Sequence, residues 1–115
     1  MGLRIAIAML AAAVYAQADP YRIIDSGTIG GSNSQGAAIN ASGQVAVDSR
    51  TTGNAGWQPF AWDNGSRTTG ALLSAGGVAY AFGINDSAVM VGRQDPGGDP
   101  AFAVRWSPDG SVTEL

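Results

Sequence analysis

Ile39-Asn40-Ala41-Ser42 returns 45 residues later as Ile84-Asn85-Asp86-Ser87, and the fold is read from that recurrence. Working outward, Val45-Ala46-Val47 stands opposite Met90-Val91-Gly92 at the same offset. Gly65-Ser66 matches Gly110-Ser111 at 45, Phe60-Ala61-Trp62 faces Val104-Arg105-Trp106 at 44, and Gly30-Gly31 recurs as Gly76-Gly77 at 46. Five landmarks at one period, slipping by a single residue, define a duplicated unit of about 45 residues.

Each unit reads as short strands between turn signals. Val45 and Val47 alternate with Ala46, Phe60 and Trp62 with Ala61, and Val104 and Trp106 with Arg105. Period-2 spacing of this kind turns one face of a strand to a core and the other to water or a second layer. Asp63-Asn64-Gly65 holds the Asn-Gly pair of a tight hairpin, and Ser107-Pro108-Asp109-Gly110 presets a turn through proline. The predicted strands fall around 36–40, 44–50, 58–63 and 66–73 in the first unit. In the second they fall around 79–85, 88–94, 101–106 and 111–115. A further strand, Tyr21–Asp25, precedes them and reads like the closing strand of a missing earlier unit. The fold class is therefore all-β, with two tandem four-stranded repeat units of β-propeller-blade type. A β-solenoid and an eight- or nine-stranded sandwich are the competing architectures.

Composition excludes several chemistries. The 115 residues contain no Cys and no His, so there is no Cys/His metal site, disulfide, thiol or imidazole catalysis, or Ser-His-Asp triad. All six cations are Arg against nine acids. That balance argues against a nucleic-acid surface. With no Lys and no following helix, the Gly27–Gly36 stretch is not a phosphate loop.

The first 18 residues read as an export signal: Arg4, then the 11-residue apolar run Ile5 to Tyr15, then the small-x-small triplet Ala16-Gln17-Ala18. The run is shorter than the roughly 20 residues a membrane span needs. The mature chain then has 97 residues, starts at Asp19, and is expected to be secreted, with no membrane span after cleavage. Residues 19–31 form an N-terminal strand and glycine-rich lead-in, 32–75 the first unit and 76–115 the second.

Asp25-Ser26-Gly27-Thr28-Ile29-Gly30-Gly31, followed by Ser34, Gly36, Ile39-Asn40 and Gly43-Gln44-Val45, resembles the HAF family of bacterial extracellular repeats. That family runs Asp-Leu-Gly-Thr-Leu-Gly-Gly, Ser, Ala, Ile-Asn, a Gly-Gln-Val-Val-Gly run, and His-Ala-Phe before a Trp. Gly76-Gly77, Ala81, Ile84-Asn85 and Met90-Val91-Gly92 carry the likeness in the second copy, so it spans about residues 21–115. The His-Ala-Phe triplet is degenerate, reading Gln58-Pro59-Phe60 and Phe102-Ala103-Val104, and Val47 and Ala88 stand where the family has glycines. What the resemblance implies is an exported, propeller-like repeat protein without a defined biochemical activity.

Candidate site residues are few. Asn40 and Asn85 follow an isoleucine at a strand end, where Asn closes an Asx-turn. Asp95-Pro96-Gly97-Gly98-Asp99 places two carboxylates about a glycine pair, but without the spacing of a calcium loop it reads as a solvated loop. Trp62 and Trp106 read as blade core. Trp57, between Gly56 and Gln58, is the candidate ligand contact. No catalytic residue, metal ligand or cofactor is assigned. The expected role is binding or surface structure rather than catalysis, with a carbohydrate or cell-surface component as ligand and self-association or further repeat units as partners. A closed propeller takes about 4–8 blades, and two blades leave faces uncovered. The alternatives are a glycosidase on propeller-like blades or a degenerate fragment without independent activity.

Overall fold

The computed structural model describes residues 21–97 and 100–115, so the expected export signal and cleavage site lie outside the described residues. Eight strands form two four-stranded antiparallel sheets. The first contains β1 (Gly30–Ile39), β2 (Val45–Thr51), β3 (Trp57–Asp63) and β4 (Ser66–Thr69) in the order β1-β2-β3-β4. The second contains β5 (Val78–Ile84), β6 (Met90–Asp95), β7 (Phe102–Trp106) and β8 (Val112–Glu114) in the order β5-β6-β7-β8. Both are up-and-down meanders, the form of a propeller blade, and no α-helix occurs among the described residues.

The repeated Ile-Asn pairs end β1 and β5 by the same chemistry. Asn40 Oδ1 accepts from the N–H groups of Ser42 and Gln44, and Asn85 Oδ1 from those of Ser87 and Val89. The fourth residue of each turn is in the left-handed region, Gly43 at φ +80° and Ala88 at φ +62°. Asn64 and Gly65 take the positive φ values that a two-residue hairpin between β3 and β4 requires. Even the irregularities repeat: β1 bulges between Gly36 and Ala38, and β5 between Ala81 and Gly83.

Two segments differ from the sequence expectation. Tyr21–Asp25 is not a strand. The chain that follows bonds mainly to side chains, Gly27 N–H to Asp25 Oδ1 and Ile29 N–H to Ser49 Oγ, and only Ile29 makes a single parallel bridge, to Thr51. Gly27, at φ +74°, turns the chain before a ladder can start. The closing strand of the first unit stops at Thr69 instead of running to Leu73. Gly70 N–H still bonds Pro59 O, but Ala71 N–H bonds Gly110 O in the turn between β7 and β8, so the chain has left the first sheet.

Cross-strand pairing fixes which residues share a face. In the first sheet Ala46–Ala61 and Asp48–Pro59 lie on one face, and Val45–Trp62 and Val47–Phe60 on the other. In the second sheet Met90–Trp106 and Gly92–Val104 share a face, and Val91–Arg105 and Arg93–Ala103 the opposite one. The buried cluster joins Ala46 to Ala79, Ala81, Met90, Val104 and Trp106, with Ala38, Ala61 and Leu72 at its edge. The small Ala46 and Ala61 leave room for the bulk of Trp106, which is fully buried and donates its indole N–H to Ala71 O at 2.8 Å. Burying that ring stabilises the junction by a few kcal/mol. Trp62, its counterpart in the first unit, is only half-buried.

Candidate functional site

The two units meet through bonds between repeat-related positions. Asn40 Nδ2 donates to Asn85 O at 2.9 Å, and Ala41 N–H to Asp86 Oδ1 at 2.9 Å. Deeper in, the Ala81 N–H at the β5 bulge donates to Asp48 Oδ1 at 2.8 Å. Alongside, Leu73 N–H reaches the buried Gln94 Oε1 at 2.8 Å, while Gln94 Nε2 has no hydrogen-bond partner among the described residues. Gly76 and Gly77 end the linker that carries Leu73, and Gly77 lies against Gln94 Nε2, Asp95 O and Pro96.

Beside the Asp48–Ala81 bond the seam opens into a cleft of about 350 Å³ lined by Gln35, Ala37, Asp48, Tyr80, Phe82 and Arg93. Strand geometry explains how they gather. β5 packs against β1, β2 and β3, so its side chains border those of the first sheet. The bulge at Ala81/Gly83 takes Phe82 out of the ladder and leaves it 64% exposed at the rim. Tyr80 and Arg93 are paired across β5 and β6, and the Arg93 guanidinium lies over the Tyr80 ring at 5.4 Å. Asp48 is only 4% exposed. Burial pushes its carboxyl above the usual carboxylate range, and the Ala81 N–H offsets part of that; no neighbouring charge contributes. The cleft thus combines a desolvated acceptor, a guanidinium donor and an aromatic face.

Trp57, the candidate ligand contact, opens β3 and is half-buried. The Arg50 guanidinium covers its ring at 4.7 Å, and its centroid is 6.0 Å from that of Tyr80, one ring away from the cleft. Asn40 and Asn85 are turn-closing residues that also carry the seam. Asp95 accepts from Gly97 N–H, and Asp99 lies outside the described residues. Among the described residues no three metal-ligating side chains come together. A second opening, about 340 Å³, borders the half-buried Trp62 with Ile24, Ile39 and Val45.

Asp48, Tyr80, Phe82 and Arg93 were not singled out as a group by the sequence. The available signal was the repeat itself, because Asp48 and Arg93 occupy the same position 45 residues apart. Comparison with known proteins adds nothing: no family model matches the chain, and no curated protein or solved structure does.

Proposed function

We propose that this chain is an exported β-repeat protein of HAF type with a binding or surface-structural role. The observation that supports a binding role best is the seam cleft, built jointly by the two units around Asp48 and Arg93. A glycosidase works with two carboxyl groups flanking the bond it cleaves. Among the described residues Asp48 is the one acid lining this cleft, and Arg93 lines it too, which favours holding a ligand over hydrolysing it. The half-buried Trp62 face favours association with a further unit or a second copy, since the equivalent face of the second sheet is covered by the first.

The Arg4 leader and Ala16-Gln17-Ala18 support secretion. The test is expression of the full chain followed by cell fractionation, intact-mass measurement and co-sedimentation with isolated cell envelopes. The expected result is an exported protein starting at Asp19 that sediments with envelopes and loses this on Arg93→Gln. A chain that keeps Met1 inside the cell, or that stays in the supernatant with envelopes present, overturns the reading.

A further inference from the structure

The two units differ where the cleft is, and agree where the frame is. Ile39/Ile84, Asn40/Asn85 and Ser42/Ser87 are identical, and their turns are bonded alike. The cleft-lining pairs at the same offset are Gln35/Tyr80, Ala37/Phe82 and Asp48/Arg93, and each pair differs in chemistry. Holding the Ala81 N–H does not call for a carboxylate. An asparagine or serine oxygen would accept the same bond with no charge to desolvate. Asp48 has one oxygen committed to that bond, which leaves the other as a strong acceptor on the cleft. Arg93, laid across Tyr80, keeps guanidinium N–H groups for a ligand. Phe82 offers an exposed ring at the rim.

We propose that the seam cleft binds a single neutral pyranose ring, with Asp48 accepting from one hydroxyl, Arg93 donating to its neighbour, and Phe82 meeting the C–H face of the sugar. This rests on the binding role proposed above and names its ligand class. One carboxylate and one guanidinium leave the site without net charge, which suits a neutral polyol. Vicinal hydroxyls both donate and accept, so the pair Asp48 and Arg93 is satisfied by one ring. A cleft of about 350 Å³ holds one monosaccharide with accompanying water.

The experiment is saturation-transfer NMR and titration of the 19–115 chain with methyl glucoside, methyl galactoside and methyl mannoside, and with leucine as a zwitterion of similar size. At least one pyranoside is expected to bind in the millimolar range. Phe82→Ala and Arg93→Gln are each expected to weaken it about tenfold or more with unchanged Tm. Asp48→Asn, which keeps the bond to Ala81, is expected to weaken binding without lowering Tm, an outcome that a purely structural role for Asp48 would not produce. No signal from any pyranoside, leucine binding in their place, or a Kd indifferent to Phe82→Ala overturns the proposal. Envelope co-sedimentation that persists without pyranoside binding retires the sugar alone and leaves the binding role standing.

Discussion

Trp106 and Trp62 occupy the same place in two copies of one unit, yet one is fully buried and hydrogen-bonded and the other half-open. Both rings stand on the third strand of a four-stranded meander whose first strand is bulged and ends in the same Asx-turn, so local topology is not the cause. What differs is the neighbour. The second sheet has the alanine face of the first laid over its tryptophan, and the first sheet has no such cover there among the described residues. A repeat unit therefore specifies its own meander but borrows part of its core. The outer faces diverge accordingly: Ala46 and Ala61 at the seam become exposed Val91 and Arg105 on the second sheet.

The sharpest way to break the comparison is to truncate both rings. Trp106→Ala is expected to destabilise by about 3–5 kcal/mol, since it empties a closed site and strands Ala71 O. Trp62→Ala is expected to cost roughly 1–2 kcal/mol, because half of that ring already meets water. Urea midpoints measured side by side decide it, and equal losses would mean that the first sheet is covered as well as the second.

A smaller effect sharpens the comparison at the turns. Ala88 holds a left-handed conformation that Gly43 adopts without strain in the other unit. Ala88→Gly is expected to stabilise by about 0.5–1 kcal/mol, and Gly43→Ala to destabilise by about 1–2 kcal/mol. A loss on Ala88→Gly in thermal unfolding would contradict this.

The smallest expected effect is a slope against pH. The Asp48 carboxyl titrates above its unfolded value of 3.8, so the folded chain keeps that proton to higher pH than the unfolded one. Its contribution to stability therefore falls as pH rises from 3.8 through the native value, and stays low above it. Asp48→Asn is expected to remove that slope and to raise the denaturation midpoint at neutral pH. The exposed Asp109 carboxyl runs the other way, held below 3.8 by hydrogen bonds from the Ser111 side chain and backbone. Its small contribution is present above 3.8 and lost as pH falls below it. The two windows sit on opposite sides of 3.8, so chemical denaturation at several pH values separates them.

The four strands of each unit and the turn residues between them were legible in the sequence, because Asx-turns, Asn-Gly hairpins and period-2 alternation are local. Where the reading failed, the deciding contact was long-range. Tyr21–Asp25 looks like a strand but pairs with no sheet edge among the described residues; the residues after it bond to Ser49 and Arg67 instead. Ala71–Leu73 looks like a continuation of β4 but is drawn to Gly110 and Gln94 of the other unit. The cleft was hidden for the same reason, since Asp48 and Arg93 are brought together only by the packing of one unit on the next.

The shared core also sets an order of events. Every strand pairs with its immediate neighbour in the chain, so each sheet assembles from short-range hairpins and its own formation is fast. Closing the cluster around Trp106 must wait for Ala46 of the first sheet and for the 70–73 linker to dock. Synthesis from the N-terminus delivers the first sheet before the second, so the template is in place when the tryptophan that needs it emerges. Exchanging the order of the two units would keep every hairpin and lose that advantage.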